Sequence, residues 1–260
     1  RPVYAEGTGY FWPSQKNDRE TMKKASALAM TALLMGMAAH AQDTKKFRLG
    51  ITLAPNMGWI GYSDKKVENN SYKQEYKADG SRIGFRFGLV TDFQLGANAN
   101  YFFSTGLFLN NLGGKSVVTT KLAGNDSLFS NAKVEAKFQY VELPLSIKLK
   151  TNEIGYMTYF GQLGFDVGVL TGAKARVDGG DFEDVKDDVF PMRVALAVGG
   201  GLEYNFSGNT SALIGIKYSN SFMNLYQKDT KLFEGTALET KMDLPKGKLH
   251  YAELTVGVLF

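Results

Sequence analysis

Eight stretches of this sequence alternate, residue by residue, between large apolar side chains and polar or small ones. A period of two belongs to strands with unlike faces. The stretches run over 46–58, 82–95, 100–111, 134–150, 156–175, 192–206, 211–222 and 249–260. In 134–150, Val141, Leu143, Leu145, Ile147 and Leu149 share one face, opposite Tyr140, Glu142, Ser146 and Lys148. Each stretch is longer than an ordinary strand and reaches the roughly 9–11 tilted residues that carry a strand across a bilayer. The connections have a rhythm. Residues 59–81, 112–133, 176–191 and 223–248 form long ones, and 96–99, 151–155 and 207–210 form short ones. Long strands joined in this way predict an all-β fold, an eight-stranded antiparallel up-and-down transmembrane β-barrel with long extracellular loops.

Alternation does not say which face points outward. The polar face answers that, because it mixes isolated charges with small residues: Gly84, Gly88, Gly164, Gly168, Ala195, Ala197, Gly199, Gly201, Gly215 and Gly257. Glycine weakens a strand that only faces water. A narrow eight-strand lumen, filled by side chains, has room for small residues between long charged ones. The opposite face is uniformly aliphatic or aromatic, as lipid contact requires. Phe93, Tyr101, Phe103, Tyr159, Tyr204, Phe206 and Phe260 gather near the short-turn ends as an interfacial girdle.

The beginning of the sequence predicts an address. Residues 22–41 read MKKASALAMTALLMGMAAHA: a basic Lys23-Lys24, an apolar Ala25–Ala38, and an Ala39-His40-Ala41 box. That order is a secretory signal peptide. It makes residues 1–21 an upstream extension, 42–260 the barrel domain, and the bacterial outer membrane the destination. The net charge is +4 with both signs scattered, which gives no footprint for nucleic acid. The absence of cysteine excludes disulfides, thiol chemistry and cysteine-based metal sites.

The segment Tyr140-Val141-Glu142-Leu143-Pro144-Leu145, continuing Ser146-Ile147-Lys148, resembles the Y-x-E-[IL]-P-[LV] strand of PorT-like outer-membrane β-barrel proteins of Bacteroidota-type bacteria. Gly50 with Ala54-Pro55-Asn56, and Gly199-Gly200-Gly201-Leu202-Glu203-Tyr204, are similar to other parts of that family. The resemblance implies an eight-strand outer-membrane barrel. The founding member takes part in type IX protein secretion, but only location and fold carry over here.

No catalytic set stands out, and no cofactor or metal is expected. His40 falls in the signal peptide; His250 shares the parity of Leu254 and Val256, opposite Glu253. That arrangement suits a rim histidine better than a base held against a nucleophile. The acidic stretch Asp178, Asp181, Glu183, Asp184, Asp187 and Asp188 lacks calcium-loop spacing and reads as a solvated loop. The informative constellation is in the lumen. Arg48, Arg86, Lys148, Arg193 and Lys217 share the inner face with Asp92, Glu142, Asp166, Glu203 and Glu253. Opposite signs in equal number predict a paired network that fills the barrel.

These readings point to a structural or interaction barrel whose contacts are outer-membrane lipid, the assembly machinery and an extracellular or envelope protein. A narrow channel for ions or small solutes is the alternative, and an outer-membrane enzyme the least supported. A terminal aromatic closing an alternating strand resembles the signal read during barrel insertion. Phe260→Asp should therefore lower the folded, heat-modifiable population on gels, and Ser71→Asp should not. Equal folding of the two variants would remove Phe260 as an assembly signal.

Overall fold

A strand has hydrogen-bonding groups on both edges, so a sheet in an apolar slab must leave no edge unpaired. The computed structural model describes residues 46–260 apart from 64–65, 69–71, 98, 123–124, 209, 228–229, 233–239 and 243–245. The expected extension (1–21) and signal peptide (22–41) lie outside the described residues. Eight long strands form the barrel: β1 (Phe47–Tyr62), β2 (Tyr72–Gln94), β3 (Tyr101–Leu122), β4 (Asn125–Lys150), β5 (Met157–Val177), β6 (Met192–Ser207), β7 (Thr210–Ser221) and β8 (Gly247–Leu259). Each pairs antiparallel with the next in sequence. β1 also pairs with β8, which closes the ring. At the seam, the Phe260 N–H donates to the Leu49 carbonyl at 2.7 Å and the Leu49 N–H to the Phe260 carbonyl at 3.3 Å. The fold is an all-β, antiparallel up-and-down barrel.

The faces sort opposite to those of a soluble barrel. Ile51, Leu163 and Ile216 are 59%, 56% and 69% exposed, while Asp92, Glu142 and Asp166 are at 0%. Large apolar side chains outside and charges inside are stable only where the surroundings are hydrocarbon. Aromatic rings mark both edges of this belt. Tyr156, Tyr204 and Phe206 cluster at the short-turn end. At the other end Trp59 lies against Tyr218 and His250, with ring centroids 6.0 and 6.1 Å away. The lumen glycines have a further cause besides crowding. A Cβ on Gly88 would lie 2.1 Å from the Leu107 carbonyl oxygen, and one on Gly164 2.2 Å from that of Leu145, so the neighbouring backbone itself fills that space. Gly96, Gly155 and Gly208, with φ of 69°, 67° and 55°, make the three short turns in a conformation that side chains resist.

The structure corrects the strand lengths. The stretches 59–81 and 112–133, expected as long loops, are largely strand. β2, β3, β4 and β5 have 23, 22, 26 and 21 residues, about twice what a bilayer crossing needs. They rise past the apolar belt as a continuous sheet, with a short strand Lys66–Glu68 paired to β2. The reason is physical. Beyond the hydrocarbon neither face has to be apolar, so Lys115, Val117, Thr119 and Lys121 alternate with nothing that a two-faced pattern would register. The ladder bonds need no apolar face.

A charge at the bilayer midplane costs about 2–4 kcal/mol on the lipid side of such a barrel. Leu145 lies at the middle of the β4 belt and is exposed. Leu145→Arg should lower the unfolding free energy in lipid vesicles by that amount, measured by reversible denaturant titration. Ser130→Arg, exposed on the projecting sheet, should stay within about 0.5 kcal/mol of the unmodified protein.

Candidate functional site

Every strand sends at least one polar side chain into a single ring inside the barrel. Asn56 comes from β1, Arg86 from β2, Asn110 from β3, Glu142 from β4, Asp166 from β5 and Arg193 from β6, all buried. Lys217 and Ser219 come from β7, and Tyr251 and Glu253 from β8. Glu142 is the hub. Its carboxylate accepts from Arg193 Nη1 at 3.1 Å and Asn110 Nδ2 at 2.9 Å, and lies 3.3 Å from Arg86 Nε. Asp166 accepts from Lys217 Nζ at 3.1 Å, Ser219 Oγ at 3.0 Å and the Tyr251 hydroxyl at 3.0 Å. Glu253 meets Arg86 Nη1 at 3.3 Å and Lys217 Nζ at 3.4 Å. Three cations face three carboxylates, and the ring is neutral.

A second cluster lies toward the short-turn end. Lys148 Nζ sits 2.9 Å from Asp92 and 3.0 Å from Glu203. Lys150 Nζ sits 3.2 Å from Asp92 and 2.9 Å from Glu203. Arg48 pairs with Glu203 and donates to Ser211 Oγ at 2.8 Å; Ser104 Oγ donates to Asp92 at 2.7 Å. Between the two clusters lies an apolar layer of Val90, Phe108, Phe160, Leu213 and Leu259. It is not inert toward the charges: Arg86 stacks 3.5 Å over the Phe108 ring and Lys148 lies 4.5 Å from the Phe160 centroid. A pocket of about 50 Å³ remains at this level, bounded by Arg86, Lys148, Asp166 and Glu253. That is room for a water or two, not a passage.

The far end of the lumen is capped by apolar packing. Ile60, Leu112, Phe138, Tyr140, Leu170 and Leu249 meet Val189 and Leu225, which come from the connections after β5 and β7. Val189 and Tyr226 bridge those two connections backbone to backbone. Tyr62, at the end of β1, shares hydroxyl contacts with Ser116 at 2.8 Å and Tyr226 at 3.1 Å.

All ten lumen charges read from the sequence point inward, but the structure gathers them into two groups rather than one. Arg86, Glu142, Asp166, Arg193, Lys217 and Glu253 form the ring. Arg48, Asp92, Lys148 and Glu203 form the second cluster. Lys150, Asn56, Asn110, Tyr251, Ser104 and Ser219 were not read as network members. Parity could have supplied three of them, since Lys150 lies two residues beyond Lys148, Ser219 two beyond Lys217 and Tyr251 two before Glu253. The expected rim histidine, His250, faces outward beside Trp59, with Glu253 on the other side of the sheet wall. Among the described residues no group of three or more His, Cys, Asp or Glu is arranged to hold a metal. Asp178 and Asp184 of the acidic stretch accept from the Lys133 and Lys186 backbone N–H groups at 2.7 and 2.9 Å.

The chain is similar in fold to several solved outer-membrane barrels. Neisserial surface protein A shares 15% identity, with 82% of this chain and 95% of that one covered and a TM-score of 0.40. The attachment invasion locus protein Ail of Yersinia pestis shares 17%, with 83% and 99% covered and a TM-score of 0.37. OprG of Pseudomonas aeruginosa shares 11%, with 83% and 97% covered and a TM-score of 0.40. No curated protein matches the chain. The profile of the family described as outer membrane protein beta-barrel domain matches residues 40–191, more than half of the sequence. Together with the closed eight-strand ring and its apolar exterior, this match makes the chain a member of the outer membrane protein β-barrel domain family.

Proposed function

We propose that this protein is a closed, non-conducting outer-membrane barrel of the PorT-like type, acting through the sheet it raises beyond the membrane. The observation that carries this reading is the filled lumen. A solute moving along the axis would cross the Arg48–Lys148–Lys150 cluster, the Phe108–Phe160 layer, the eight-strand polar ring and the apolar cap in turn. A channel needs polar groups free to exchange with a passing ion, whereas here cations and carboxylates hold each other. With the lumen occupied, the main surfaces left for a partner among the described residues are the lipid-facing wall and the projecting strands β2 to β5. Those strands suit contact with an extracellular or envelope protein. Catalysis is no part of this reading. Export by the 22–41 signal peptide and recognition of Phe260 during insertion complete it.

Purified protein in planar bilayers should show no steady conductance. A stable, well-defined conductance from the unmodified protein would overturn the reading in favour of a narrow channel. Removing one member of a buried ion pair strands its partners at a cost of about 3–5 kcal/mol. Glu142→Ala strands Arg193, whose one ion pair among the described residues is with Glu142, and leaves Arg86 with Glu253 alone, so it should cut stability by about that much. The outward placement of the projecting sheet has its own test. The chain has no native cysteine, and Lys77 is exposed on β2 beyond the belt. Lys77→Cys should react with a membrane-impermeant maleimide on intact cells; protection there with reaction after lysis would invert the barrel.

A further inference from the structure

Just past the apolar belt, on the outer wall and at the end bearing the projecting sheet, the ladder sets two lysines face to face. Lys137 of β4 and Lys174 of β5 are register partners. Like charges directly opposite on neighbouring strands repel. Asp184 is the register partner of Lys174 on its other side, but among the described residues neither lysine has a carboxylate within ion-pairing distance. Gly113 of β3 is the register partner of Lys137 on the other side. Its missing side chain leaves the space that Arg82 of β2 occupies: a Cβ there would lie 2.7 Å from Arg82 Cδ. A row of cations thus crosses four strands. Arg82 and Arg176 are held by Glu135, at 3.3 and 2.7 Å. Among the described residues Lys137 is held by the face of the Phe182 ring, 3.4 Å from its centroid. The fixed carboxylates beside this row are Glu135 and Asp184, so two positive charges remain over.

The row edges a groove of about 310 Å³ with both charged and apolar walls. Arg82, Lys137, Lys174 and Asp184 line it together with Ile83 and Phe85. Phe85 stands opposite Asn111, whose partner Gln139 lies two residues nearer the belt than Lys137. Ile83 is 78% exposed, more than any other large apolar side chain of the belt. Fixed positive charge above and bare apolar surface below match one kind of molecule. We propose that this groove holds the phosphorylated headgroup of an outer-leaflet glycolipid of the lipid A type, its phosphate on Lys137, Lys174 and Arg82 and its acyl chains against Ile83 and Phe85. The lysine pair that repels in the free protein becomes a two-point clamp once an anion lies between its members.

Native mass spectrometry of the purified full-length barrel tests this with diphosphorylated lipid A as the probe. One lipid should stay bound, and the dephosphorylated form should not. A lysine near an anionic lipid surface is worth about a factor of five, so Lys137→Gln with Lys174→Gln should weaken binding about 25-fold. Lys77→Gln, outside the groove, should leave it unchanged. Equal binding of phosphorylated and dephosphorylated lipid, or of the unmodified protein and the double variant, overturns the proposal. So does complete displacement by millimolar inorganic phosphate, which would make this a free-anion site. Should the glutamine variant fail to show heat-modifiable migration, the dephosphorylated-lipid arm on the unmodified protein and retained binding by Lys137→Arg with Lys174→Arg decide. The inference rests on the outward placement proposed above. Failed labelling at Lys77→Cys sinks that placement, whereas failed lipid binding by purified protein sinks this inference alone.

Discussion

In hydrocarbon an N–H or C=O group without a partner has no water to fall back on, at a cost of several kcal/mol each. β1 therefore cannot be an edge. It must pair with β8 on one side and β2 on the other, and it does so nearly from end to end. Closure fixes the rest. With eight strands the enclosed cylinder is only about wide enough for side chains to fill. The outward face is committed to lipid, so polar residues have nowhere to go but in. The interior must then neutralise what it encloses, which is why the inner residues are matched charges rather than scattered ones.

That requirement also explains the layering. A buried ion pair repays its desolvation only when the remaining donors and acceptors are met. The Glu142 carboxylate is met by Arg193 and Asn110, with Arg86 alongside, drawn from β6, β3 and β2, although Arg86 Nε, Arg193 Nε and Glu253 Oε2 are buried without a hydrogen-bond partner. Asp166 is met the same way from β7 and β8. The second cluster has three cations for two carboxylates, and it lies nearer the short-turn mouth, where Arg48 is partly exposed. The excess charge thus sits where water can help to carry it. The Phe108–Phe160 layer between the clusters lets each be satisfied locally, and its rings take up cationic charge through their faces.

What could be read from the sequence followed from these constraints, and what could not lay outside them. The belt strands were legible because lipid on one side and a narrow lumen on the other force a strict period of two: Val194, Leu196 and Val198 against Arg193, Ala195 and Ala197. The inward direction of Arg86, Glu142 and Glu253 followed from the same parity. Pairing was not legible, since parity says which face a residue takes and nothing of register. That Arg193 meets Glu142 while Glu203 meets two lysines depends on offsets across several ladders. The upper halves of β2, β3 and β4 were missed because no lipid imposes a pattern there. The cap was missed because Val189 and Leu225 sit singly in polar connections, where an isolated apolar residue carries little signal.

The row of cations on the outer wall belongs to the part of the chain that these constraints leave free. Inside the barrel Lys148 and Lys150 are tolerated because Asp92 and Glu203 were placed against them. Outside, Lys137 and Lys174 stand opposed with no carboxylate between them, Asp184 lying across from Lys174 on its far side, on strands whose registers are already fixed by the belt below. Either residue could be altered without cost to closure, lumen packing or the ion pairs. Repulsion that folding does not require, at the boundary between hydrocarbon and water, is a reason to look for an anion supplied by the membrane rather than by the chain. In a barrel whose interior is fully engaged in holding itself together, the wall and the projecting sheet are where binding energy remains to be gained.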